Sequence, residues 1–258
     1  VAKDDTANGN IIRAHMTFLA DDLLEGRETG MRGFDIAALY VAAQFAQYGV
    51  LPKGDQGTYR QAVPFKTSRL VQDSAVFEIQ RAGGNEVLAY LDEFTMRASH
   101  SYDETSITAP LVFVGYGITA PRFNHDDYAG LDVKGKIVVL LSGAPVGFPS
   151  EEGAHYGDNW EKNLLAARHG AIGVISLQTH LSMAAAAKLF TDVDVKLDAI
   201  YAAAGADKPL PHVPLNLSAR LKRNSTRGST SSSNVVGMVQ GSDPKLKNEY
   251  VIFSAHLD

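Results

Sequence analysis

No cysteine occurs in the 258 residues, which excludes disulfides, thiolate zinc sites and cysteine nucleophiles together. The compartment stays open, because a chain without thiols tolerates oxidising and reducing surroundings alike. Long apolar runs are also missing. The longest candidates, KIVVLL and LVFV, are strand-sized, well short of the roughly eighteen residues a membrane-spanning helix needs. Basic residues do not predominate: 24 Lys and Arg against 29 Asp and Glu give a formal net charge of -5. That balance argues against a nucleic-acid partner, whose phosphates need a basic face. Neither a G-x-S-x-G nucleophile elbow nor an HExxH zinc helix is found. Position 1 is Val1 rather than an initiator Met, and no apolar leader follows. The chain therefore reads as processed or cut by design, with any targeting peptide lost upstream.

What remains is ordinary folding material, with 45% hydrophobic residues, 21% charged residues and a mean hydropathy of -0.09. The length suits one large domain or two modest ones. In IIRAHMTFLADDLL, residues 11–24, the apolar positions recur in threes and fours and predict a helix. EGRETGMRG then reads as a loop. From Phe34 the same spacing runs through Ala38, Val41, Phe45 and Tyr48 to Gly49, where a helix end wants a left-handed residue. TYRQAVPF, residues 58–65, predicts an edge strand.

Beyond it the texture turns to short strand-like runs: SAVFEIQ, EVLAYL, PLVFVGYGI, GKIVVLLSG and AIGVISL. NWEKNLLAARHG predicts a helix closing at His169-Gly170, and LSMAAAAKLF a shorter one. KRNSTRGSTSSSN, residues 222–234, is rich in Ser and Thr and reads as a linker. Its basic residues Lys222, Arg223 and Arg227 have no interleaved aromatics, so they read as solvated rather than as a nucleic-acid contact. NVVGMVQG and EYVIFSA then predict two strands joined by a turn. A helical start and a β finish thus flank a different middle, which is how an inserted domain looks.

Two motifs invite chemistry. Gly115, Gly117 and Ala120 satisfy a loose dinucleotide fingerprint, but Pro121 follows and no helix starts there to receive a pyrophosphate. The other motif is H-x-D, which occurs twice. The copy at His125-Asp126-Asp127 lies in a polar stretch and reads as solvated. His256-Leu257-Asp258 instead follows the apolar run Tyr250, Val251, Ile252 and Phe253, which predicts a strand with its functional pair at the carboxyl tip. On extended backbone His256 and Asp258 share one side and Leu257 takes the other. A histidine so placed can ligate a metal while the carboxylate orients it. Two side chains are not a zinc site, since catalytic zinc takes three protein ligands. His15, His100, His155, His169, His180 and His212 are scattered, and His169 reads as a helix C-cap.

Four blocks carry a resemblance: HMTFLADDLLEGRETGMRGFDIAALYVAAQFAQYGVLP, DDYAGLDVKGKIVVLLSG, GAIGVISL and SSNVVGMVQGSDPKLKNEYVIFSAHLD. In this order they resemble the first part of the co-catalytic two-zinc aminopeptidases. That family includes leucyl-type aminopeptidases and, more distantly, glutamate carboxypeptidase II and the non-enzymatic transferrin receptor. The resemblance implies an α/β fold in three segments. Residues 1–66 would belong to the peptidase domain, 67–228 would form an inserted β-rich protease-associated domain, and 229–258 would supply the first strands of the peptidase core. It also implies that His256 is a zinc ligand and Asp258 the carboxylate orienting it.

The family's bridging Asp, its Glu-Glu pair and its remaining ligands have no counterpart in the 258 residues, so the chain by itself is expected to be inactive. The resemblance thus implies the N-terminal portion of a zinc-dependent aminopeptidase, with two zinc ions in the complete enzyme, acting on peptides. It further implies a periplasmic or secreted location, and a protein partner for the inserted domain. The alternative is a non-catalytic protein-binding module built on a peptidase-like scaffold.

Overall fold

The structure, a computed structural model, describes residues 9–258; the reading drawn from Val1 lies outside them. Helices are α1 Gly9–Leu19, α2 Arg32–Gln47, α3 Ser150–Gly157, α4 Asn159–Arg168, α5 Leu177–His180, α6 Met183–Lys188 and α7 Leu197–Gly205. Strands are β1 Leu51–Pro52, β2 Arg60–Leu70, β3 Val76–Arg81, β4 Gly84–Val87, β5 Glu104–Phe113, β6 Thr119–Ala120, β7 His125–Asp126, β8 Ile137–Leu140, β9 Gly173–Ser176, β10 Val213–Val235 and β11 Gly237–Met238. This is a mixed α/β protein. The chain divides into two compact units, residues 1–67 with 228–258, and residues 68–227.

In the unit of residues 68–227 the strand order is β4-β3-β10-β5-β8-β9, and β2 also pairs with β10. β3 and β5 flank β10 antiparallel, whereas β5, β8 and β9 run parallel. Parallel strands are buried on both faces and read as continuous apolar runs, and all four residues of IVVL in β8 are buried. Alternate side chains divide the core in two, as a period of two requires. Phe113, Ile137 and Val139 face one cluster, with Ala185, Phe190 and Ile200 from α6, the segment after it and α7. Val112, Val138 and Leu140 face the other, with Ala166 of α4. Helices therefore cover both faces, and the loops after β5, β8 and β9 leave from one end of the sheet.

The unit of residues 1–67 with 228–258 is built on close approach of two helical segments. Asp21 caps a 3-10 turn over Asp22–Arg27 by accepting from Leu23 N. A Cβ at Gly33 would stand 1.7 Å from Leu24 O, so only glycine lets α2 begin there. α2 buries Phe34, Ala37 and Ala38 and ends at Gly49 with φ 71°, the left-handed stop its spacing predicts. Leu51 and Pro52 pair with Met238 and Gly237.

Three expectations are corrected. The linker expected over 222–234 lies inside the 23-residue strand β10. Its main chain bonds to flanking strands, so a run of serines, some of them buried (Ser225, Ser232, Ser233), can be held without apolar side chains. Within it Lys222 and Arg227 pair with Glu104 and Asp103 rather than standing free. The helix expected over 11–24 stops at Leu19, because Asp21 starts the separate 3-10 turn. EYVIFSA forms no strand: residues 249–258 have no regular structure and Phe253 is 92% exposed. High strand propensity does not suffice where no neighbouring strand offers a ladder, so the only part of 229–258 seen as strand is the end of β10 and β11.

Candidate functional site

The AHLD segment is held by the loop that precedes α2. Arg27 Nε donates to Leu257 O at 2.8 Å, and Thr29 Oγ1 donates to Asp258 Oδ2 at 2.9 Å. The other carboxylate oxygen accepts from His256 Nδ1 at 3.0 Å. A carboxylate can only accept, so the imidazole proton sits on Nδ1 and the Nε2 lone pair is free. The His256 side chain is 94% exposed and that of Asp258 42%, so Nε2 faces outward. The bonds from His256 and then Thr29 hold the Asp258 carboxyl below its ordinary pKa. Leu257 is half-buried. The pair is preorganised by these hydrogen bonds rather than by a strand tip.

The donor chemistry fits one position of a zinc centre, a neutral imidazole whose second nitrogen is oriented by a carboxylate. It fits no more than that. Among the described residues no group of three or more His, Cys, Asp or Glu side chains is placed to hold a metal ion. The scattered histidines have other partners. His15 Nδ1 lies 2.8 Å from Tyr40 Oη and His100 contacts Ser68 Oγ. His169 is the C-cap of α4, stacked on Tyr128 with ring centroids 4.2 Å apart.

The second H-x-D copy is not solvated. Asp127 is only 3% exposed, and its Oδ1 lies 3.0 Å from His125 Nε2 and 3.2 Å from His212 Nε2. His212 is aligned for a hydrogen bond; His125 is at ion-pair distance, but its N–H misses the hydrogen-bond direction and stays unsatisfied. Asp127 Oδ2 accepts from Ile118 N at 3.0 Å. Burial pushes the Asp127 carboxyl up, but the two imidazoles and the Ile118 amide outweigh it and hold the pKa low. The same carboxylate raises His125. The polar surroundings of HDD in sequence hid this, because His212 comes from a segment 85 positions away.

Sequence reasoning also passed over Lys162. It is 1% exposed, donates through Nζ to Leu141 O at 2.8 Å and to Gly143 O, and lies 5.7 Å from the Tyr116 ring centroid. Burial lowers its pKa to about 8, against a smaller raising effect of Asp127. The signal was available: Lys162 and Ala166 share the buried face of α4, an i, i+4 pair. Gly115 and Gly117, φ 66° and 70°, precede only a short 3-10 turn at Pro121–Phe123, so no phosphate-binding helix N-terminus follows them.

No protein-family model matches the sequence, and no curated protein matches it. Among solved structures the chain is similar to an aminopeptidase from Aneurinibacillus sp. strain AM-1. The likeness is 18% identity over 90% of this chain and 49% of that one, with a TM-score of 0.41. The chain thus spans about half the length of that structure. Among the described residues no helix is long and apolar enough to cross a membrane.

Proposed function

We propose that this chain forms part of a zinc-dependent aminopeptidase, with His256 as a zinc ligand and Asp258 as the residue that positions it. One observation carries the reading: His256 donates from Nδ1 to Asp258, whose other oxygen is held by Thr29, leaving Nε2 as a lone-pair donor. Bound zinc supplies a water of lowered pKa and a Lewis acid for the scissile carbonyl. The chain's own residues fix the imidazole's tautomer and aim, through Asp258, Thr29 and Arg27. The unit of residues 68–227 is, in this reading, an inserted protease-associated module, and the protein is periplasmic or secreted.

The test is zinc content and aminoacyl nitroanilide hydrolysis of the natural gene product, before and after chelation, beside His256→Ala. Zinc-dependent cleavage lost in His256→Ala supports the reading. A natural product that holds no zinc and cleaves no aminoacyl substrate sinks it and leaves the protein-binding module as the description to test.

A further inference from the structure

The segment that carries His256 has few holds on the rest of its unit. Residues 249–258 have no regular structure, and every one of them except Leu257 is exposed. Among the described residues, two side chains from elsewhere in the chain hydrogen-bond to it, Arg27 through Nε to Leu257 O at 2.8 Å and Thr29 through Oγ1 to Asp258 Oδ2 at 2.9 Å. A single bond leaves a segment free to turn about it. One bond to the main chain and one to a side chain fix its direction.

The turn that leads to these donors is strained. Glu25, Gly26 and Arg27 have φ 52°, 73° and 55°, three left-handed residues in succession, a conformation that residues with a Cβ visit singly because of its steric cost. Glycine avoids that cost only at Gly26. Such strain persists where the surroundings over-determine it, and it clusters at functional sites. Here both ends are fixed. Leu24 is buried with its carbonyl against Gly33, and a Cβ at Gly30 would stand 3.2 Å from Thr230 Oγ1 of β10. Between these points lies Arg27, half-buried, with its guanidinium on the Leu257 carbonyl.

We propose that Glu25–Arg27 is a strained clamp that preorganises the metal-ligand segment, with Arg27 the positioning residue that fixes the peptide between His256 and Asp258. The inference rests on the reading of His256 as a zinc ligand and goes beyond it by assigning a role to the strained turn. His256 and Asp258 orient each other's side chains through their own hydrogen bond, but that pair turns as a unit with its main chain. Arg27 holds the main chain through a charge-assisted bond, so the imidazole faces one direction before a metal arrives. Affinity gains because less ordering is left to be done on binding.

Two substitutions separate the side chain from the strain. Arg27→Met keeps the stem and the backbone but has no donor, whereas Glu25→Gly relieves one left-handed residue and keeps the donor. Zinc affinity of the natural gene product is measured by competition with a chromogenic chelator, and the order of the Leu257 amide by backbone relaxation in the metal-free full chain. Arg27→Met is expected to bind zinc about tenfold more weakly, the lower end of the cost of losing an outer support of a ligating histidine, and to lose order at Leu257. Glu25→Gly is expected to leave zinc affinity unchanged and to raise the melting temperature by about 2 °C. If Arg27→Met does not fold, Arg27→Gly, which also frees the backbone, reads the same loss. Unchanged order of Leu257 in the metal-free variant overturns the clamp whatever the zinc result. Zinc bound equally by wild type and Arg27→Met overturns the proposal and leaves the zinc reading standing, and a wild type that holds no zinc sinks both. Equal weakening by Glu25→Gly assigns the effect to the backbone of the turn and removes Arg27 from the positioning role.

Discussion

Thr29 and Asp258, 229 positions apart, are joined by a hydrogen bond of 2.9 Å. Through it a loop of the GRETG block holds the carboxylate that orients His256. Thr29→Val removes the donor but keeps the shape. With His256 still its largest stabilising partner, the Asp258 carboxyl is expected to titrate closer to its ordinary value, yet still below it. A carbon-detected NMR titration of the carboxyl checks this. The sign follows from the depressed pKa: the contribution to stability is present at neutral pH and is lost as pH falls through the lowered value, below about 4.

Asp258→Asn keeps the side chain's size but takes away its charge. In the zinc-binding protein proposed above, metal affinity is expected to fall about 10- to 100-fold, the usual cost of losing a carboxylate behind a ligating histidine. His256→Ala is expected to lose more. Competition with a chromogenic chelator measures both, and equal affinities in Asp258→Asn and wild type would remove Asp258 from the positioning role.

Asp127→Asn leaves two imidazoles facing a neutral amide in a buried setting. The expected loss is about 3 kcal/mol, the scale for breaking a buried ion pair from one side, read by urea denaturation. The raised pKa of His125 carries its own sign. Its stabilising contribution is complete below about pH 6.5, the ordinary histidine value, and fades as pH rises through the raised native value. His125→Gln is expected to flatten stability against pH in that window and not below it.

For Lys162 the sign is opposite. With a native pKa lowered to about 8 and an ordinary value near 10.4, the native state releases its proton first. Stability from this group therefore rises with pH between those values. Thermal melts across that range should show the slope in wild type and its loss in Lys162→Met. A Lys162→Met protein with an unchanged slope would mean that another group is responsible.

Phe113 and Phe253 test how far apolar character predicts burial. Phe113 is fully buried and meets Phe190 edge-on at 5.4 Å, so Phe113→Ala should cost about 3–5 kcal/mol. Phe253→Ala is expected to change stability by less than about 0.5 kcal/mol, as at other exposed positions. Chemical denaturation of both variants decides it.

Local signals survived into the structure where they depended on neighbours in the chain. The apolar spacing and Gly49 placed α2, Asp158 capped α4 where NWEKNLLAAR predicted a helix, and IVVL became a strand buried on both faces. His256 and Asp258, two positions apart, are joined by a hydrogen bond, although the strand expected to carry them does not form. Contributions from elsewhere in the chain were hidden. The serine-rich stretch of β10 is a strand because β2 pairs with β10, beyond the point where the β5 register ends at Asn224. YVIF stays exposed because no described strand lies beside it. Asp127 is buried because His212 and the Gly115 turn close over it. A sequence sets propensity and alternation along one dimension. Burial, charge compensation and the identity of a hydrogen-bond partner are set by which segments meet, and those distances exist only once the chain has folded.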